Sequence, residues 1–134
     1  MTAVDTVREY YESLRRGEPL YTYFAEDAQT AKFGVSESLV GYDDIAEALR
    51  EQTRTTEEWT VDTRRLSVTE RGEYAWFSDE VDLAWTDAES GRRFAFPTRW
   101  SGTLERRDEE WVFVELHVSA PHPELSGGEG GDGD

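Results

Sequence analysis

From Trp59 onward the apolar residues recur at alternate positions, and the repeat is interrupted only by joints of a few residues. Alternation of that kind belongs to strands with one face buried. Four runs are legible, at 59–70, 74–86, 92–106 and 111–119. The joints at 71–73, 87–91 and 107–110 are too short for the crossover that parallel neighbours require, so the runs predict an antiparallel meander. A sheet of this kind must cover at least one face, and the chain before Trp59 has to supply the cover.

That first part reads as helical. Thr2 followed by Asp5 has the pattern of a capping box, and Val4, Val7, Tyr10, Tyr11 and Leu14 share one helical face. Gly17 supplies a stop. Pro19 is placed to begin a second, short helix carrying Leu20, Tyr23 and Phe24. Short strands are expected at 29–33 and 38–40, and Asp43 then caps a third helix with Ile45, Ala48 and Leu49 inward. The expected fold class is α+β, with three N-terminal helices packed on a mainly antiparallel sheet. At 134 residues there is room for one core, assigned to 1–125. Residues 126–134 are glycine and acid with nothing to bury, and are expected to be a disordered tail. No internal repeat is found.

Composition matters mainly for what it excludes. There is no cysteine, hence no disulfide framework and no thiolate metal site. Thirty acidic residues against fourteen basic ones give a net charge of −16, a field that repels nucleic acid and anionic membranes. Lys32 is the only lysine; the other basic residues are arginine. Such acidity fits a protein adapted to a high-salt cytoplasm, as in halophilic archaea, where screening makes self-repulsion tolerable; solubility alone is the other explanation. Neither a signal-peptide stretch nor a membrane span is legible, so a cytoplasmic location is expected.

The search for chemistry leaves few residues. No glycine loop cradles phosphate, and His117 and His122 lack metal-ligand spacing, so neither a metal nor a cofactor is expected. Ser119 and His117 share one side of a strand, which does not aim one at the other. Within the run 74–86, Ala75, Phe77, Asp79, Val81, Leu83 and Trp85 form one face; Trp76, Ser78, Glu80, Asp82 and Ala84 form the other. Asp79 is thus a carboxylate on an apolar face, with Arg99 on the next strand as its natural partner. It is either a general acid or base, or a structural carboxylate in an ion pair or at a strand bulge. Glu80 and Asp82 read as a solvated face unless the pocket is polar. In the last run Trp111 and Phe113 alternate with Val112, Val114, Leu116 and Val118, so both faces are expected to need a cover. That predicts a homodimer, the other possible cover being segment 121–125.

With these elements in place, the chain resembles a SnoaL-like, nuclear-transport-factor-2-like domain of the cystatin-like type over about residues 4–123. The resemblance is clearest in RRDEEWVFVELHVSAP (residues 106–121), which is similar to the closing hairpin of calcium/calmodulin-dependent protein kinase II association domains: Trp111, His117, Ser119 and Pro121 match, while Glu115 replaces the first histidine. YYESLRRGEPLYTYFAEDAQ and GYDDIAEALR resemble the family's opening elements. The resemblance implies a strongly curved sheet closing into a cone around an internal small-molecule pocket, and a dimer through the outer sheet face. It implies Tyr10 at the oxyanion-stabilising tyrosine of ketosteroid isomerases, but Lys32 at their general base and Ser101 near their second donor, which argues against that activity. Val118 and Gly102 stand where the association domains carry pocket arginines, with Arg99 as a substitute charge. The expected pocket residues are Tyr10, Phe33, Trp76, Glu80, Arg99 and His117, with Tyr10 and Asp79 as the catalytic candidates. The expected function is a small-molecule-binding domain without an assigned activity. The alternatives are a lyase, isomerase or cyclase on a small apolar substrate, or a non-catalytic dimeric association module.

Overall fold

The structure, a computed structural model, describes residues 1–122. The expected tail, and the end of the expected domain, lie outside the described residues. The elements run α1 (Ala3–Arg16), β1 (Ala31–Phe33), β2 (Ser38–Val40), α2 (Tyr42–Thr55), β3 (Thr56–Thr63), β4 (Ser67–Arg71), β5 (Tyr74–Asp87), β6 (Arg93–Arg107) and β7 (Glu110–Ser119).

Helix α1 follows its local signals. The Asp5 amide donates to the Thr2 hydroxyl and the Thr2 amide donates to the Asp5 carboxylate, closing the capping box. Gly17, at φ 72°, ends the helix in the left-handed region. Val7, Tyr10, Tyr11 and Leu14 are buried against the sheet. The short second helix is corrected to a single 3-10 turn, Tyr21–Tyr23. Phe24 is already extended, bridging Phe113 in parallel, and the Ala25 amide donates to the Phe113 carbonyl, so the chain is drawn into the sheet before a helix can propagate. There are therefore two α-helices among the described residues, not three. The second is capped by Gly41 at φ 101° rather than by Asp43, which falls in its first turn.

The sheet has seven strands in the order β2-β1-β7-β6-β5-β3, with β4 on the same edge of β5 as β3. Neighbours are antiparallel except β1 and β7. The meander β5-β6-β7 follows the expected runs, and its last turn holds Asp108 and Glu109 at positive φ. The run 59–70, however, is two strands. Thr63 pairs with Val81 and Ser67 with Ser78, so three residues on one side face two on the other, a bulge that breaks the ladder. The sheet is not strongly curled, so the expected closed cone is corrected to an open α+β layer with helices on one face. The long β5–β6 pairing runs from Tyr74–Glu105 to Thr86–Arg93 without a register shift.

A second bulge overturns the two-faced reading of the last strand. Thr103 pairs with Glu115 but Leu104 pairs with Phe113, leaving Val114 without a partner. One extra residue changes the phase of a strand. Trp111, Phe113, Leu116 and Val118 therefore all lie buried on the helix side. Beside the bulge the strands come close: a Cβ on Gly102 would fall 2.6 Å from the Glu115 carbonyl oxygen. The core runs along this side, from Val7, Tyr11 and Leu49 to Val61, Val81, Leu104, Phe113 and Leu116.

Candidate functional site

Between the two helices and the inner sheet face lies a cavity of about 450 Å³. Its walls are largely aromatic and aliphatic: Leu14 from α1, Ala48 from α2, and Trp59, Trp85, Phe96 and Trp100 from the sheet. Trp59 stacks on Trp85 at 4.8 Å between ring centroids, and Phe96 meets Trp85 edge-on at 5.4 Å. Such a volume and lining fall in the range that holds small ligands. The β1–β2 turn, residues 34–37, forms part of the rim.

Polar side chains interrupt the apolar wall, Glu51, Gln52, Thr55 and Thr56 from the end of α2 and the start of β3, and Tyr10, Lys32 and Glu37 on the facing side. Tyr10 projects from α1 because it shares the inward face with Val7 and Leu14, and its ring is boxed edge-on by Tyr23, Trp100 and Phe113 at 5.3–6.2 Å. It is 2% exposed, and its hydroxyl has no hydrogen-bond partner among the described residues. Burial pushes the phenol pKa well above the ordinary tyrosine value, and the nearby Glu37 carboxylate pushes it further. Lys32 faces inward because it pairs with Leu116 on the parallel neighbour β7. Its ammonium donates to the Glu37 carboxylate, with the lysine side chain 7% exposed and that of Glu37 36%.

Asp79 belongs to a different construction. It is buried on the helix side but does not line this cavity. The Tyr11 hydroxyl donates to its Oδ2 at 2.9 Å, the Thr63 hydroxyl donates to the same oxygen, and the Arg65 amide donates to Oδ1 at 3.0 Å. The carboxylate therefore ties α1 to the bulge between β3 and β4. Arg99 is not its partner: Arg99 pairs with Glu80 in the strand register and both are exposed. Burial is the main reason the Tyr11 phenol is held above its ordinary pKa, and the Asp79 charge is the next.

The other expected pocket residues lie on the outer sheet face, away from the cavity. Glu80, Arg99 and His117 border a separate depression there with Ser78, Ser101 and Ser119, and Asp79 is among its lining residues. Phe33 meets the His117 ring edge-on at 5.9 Å, and Trp76 is 49% exposed. Of the expected pocket set only Tyr10 reaches the cavity. Lys32, Glu37 and the tryptophans 59, 85 and 100 are lining residues that the sequence reading did not assign. The one available signal was Lys32, a lone lysine in an arginine-rich chain. No group of histidine and acidic side chains arranged to hold a metal is found among the described residues, and no helix there is long and apolar enough to cross a membrane.

The family model described as SnoaL-like domain matches residues 4–123. No curated protein matches the sequence significantly. Among solved structures, a nuclear transport factor 2-like superfamily protein from Salmonella enterica serovar Typhimurium is similar at a TM-score of 0.78 and 18% identity, over 96% of this chain and 93% of that one. A candidate dehydratase of the same type from Streptomyces avermitilis superposes at 0.75 and 14% identity, over 88% and 95%. A candidate calcium/calmodulin-dependent protein kinase II association domain from Xanthomonas campestris superposes at 0.72 and 17% identity, over 88% and 85%. At these identities the likeness is one of fold.

Proposed function

The chain belongs to the SnoaL-like domain family, and from that premise we propose that it binds a small, mainly apolar molecule in the cavity between its helices and sheet. The observation that carries this reading is the Tyr10 hydroxyl. A buried phenol with no acceptor, as this one is among the described residues, costs about 1–3 kcal/mol, and a ligand oxygen in the cavity would remove that cost. Aromatic walls supply the area and Tyr10 the orientation, the division of labour usual in small-molecule sites.

Trp59, Trp85 and Trp100 make the reading testable without labels, since all three line the cavity. Titration with 2-naphthol is expected to quench tryptophan emission saturably at one site. Ala48→Trp, which fills the cavity from α2, is expected to abolish the quenching. Tyr10→Phe is expected to weaken it about fivefold, the equivalent of roughly 1 kcal/mol for one hydrogen bond. Unsaturable quenching, or quenching indifferent to Ala48→Trp, refutes the proposal.

A second copy of the chain on the outer sheet face is a reading favoured by one observation. Tyr74 and Trp76 stand 52% and 49% exposed there, on the same strand. Exposed aromatics of this size are typical of association surfaces.

A further inference from the structure

Resting on the reading of the cavity as a ligand site, we propose that its ligand is an acid: an apolar, ring-bearing molecule whose carboxylate displaces Glu37 from Lys32. Lys32 is a buried cation with three donors, of which Glu37 takes one. Removing that partner and leaving nothing in its place would strand a buried charge without its counter-ion, a costly arrangement. Any ligand that reaches the ammonium must therefore bring negative charge.

Glu37 is built to be displaced. It sits on the β1–β2 turn rather than on a strand, and its side chain is already 36% exposed toward water. It reaches Lys32 by crossing directly over Gly34, where a Cβ would lie 2.8 Å from Glu37 Cγ and Oε2. Its turn neighbours Val35 and Ser36 are exposed. Swinging the glutamate outward breaks no side-chain hydrogen bond or ion pair among the described residues beyond its own with Lys32.

Tyr10 supplies the selectivity for a carboxylate over a simple anion. Tyr10 lines the same cavity as Lys32 and Glu37, yet its hydroxyl donates to no described residue. A carboxylate entering at this point has two oxygens, one for the Lys32 ammonium and one for the Tyr10 hydroxyl. Glu37 satisfies only the first of these donors. The incoming acid gains a hydrogen bond that the internal glutamate does not make, and its rings replace water against Trp85, Phe96 and Trp100.

The test compares 2-naphthoate, 2-naphthamide and 2-naphthylmethylammonium by tryptophan quenching at one fixed ionic strength. The carboxylate is expected to bind at least tenfold more tightly than the amide. Lys32→Met should erase that difference, and Glu37→Gln should widen it. Both variants are checked for native circular dichroism. Equal binding of acid and amide, tightest binding of the ammonium, or a preference that survives Lys32→Met overturns the inference while leaving the cavity reading intact. Failure of all three probes to bind overturns both.

Discussion

Replacing Asp79 by alanine is expected to be among the most damaging single changes available in this protein, and for reasons unconnected with ligand binding. The carboxylate accepts from Tyr11, Thr63 and the Arg65 amide. Tyr11 is 1% exposed and cannot find water when its acceptor leaves, whereas Thr63 and Arg65 lie near the surface and rehydrate in part. Counting about 2 kcal/mol for the stranded phenol and about 1 kcal/mol for the other two together gives roughly 3 kcal/mol, before any loosening of the bulge. For a domain of this size that is a fall in Tm of roughly 12 °C. Asp79→Asn should cost much less, about 1 kcal/mol, because its carbonyl can accept from Arg65 while its amide donates to hydroxyls that rotate to accept. Urea denaturation of wild type, Asp79→Ala, Asp79→Asn and Tyr11→Phe at one salt concentration measures all of this. If alanine costs under 1 kcal/mol, or asparagine as much as alanine, the account of the carboxylate as a clamp is wrong. Loss of naphthol binding in a folded Asp79→Asn protein would likewise reopen a part for Asp79 in the ligand site.

Tyr10 and Tyr11 are both held above the ordinary phenol pKa, mainly by burial. Below about pH 10 both are protonated in folded and unfolded chains alike, so they add no pH dependence; above it the unfolded chain releases protons that the folded chain keeps, and stability falls. Ionisation of these two phenols, followed at 295 nm, is expected to coincide with the loss of circular dichroism; their titration in a folded protein would contradict the burial argument. If a second copy covers the outer sheet face, Trp76→Glu should convert a dimer to a monomer by light scattering at one fixed salt concentration, and a wild-type monomer would exclude that pairing.

The parts of the fold that local chemistry decides were legible. The Thr2–Asp5 cap, the Gly17 stop and the β5, β6 and β7 runs need only neighbours along the chain. What was not legible came from contacts between distant segments. The second helix fails because Ala25 is claimed by Phe113, far along the sequence. The break at 64–66 carries neither glycine nor proline to mark it, and depends on Asp79 accepting the Arg65 amide. The site suffered most, because alternation sorts residues into two classes without saying which class faces the helices. Trp76, Glu80, Arg99 and His117 fell in the outward class. Lys32 could be picked out by its rarity, but its burial follows from a parallel pairing with β7 that no local pattern announces.

Val114 illustrates how much can hang on a single codon. It is the extra residue that the bulge absorbs; paired without a bulge, the same strand would turn Leu116 and Val118 outward while bringing His117 and Ser119 in. The residue opposite Lys32 on β7 would then face away from the cavity, and β1 would have to slide to keep its lysine inside. The chemical character of the cavity wall is thus set by one bulge as much as by the identity of its side chains. A change that removes the bulge while keeping the residue, rather than a substitution in the wall, is what would exchange one lining of this cavity for the other.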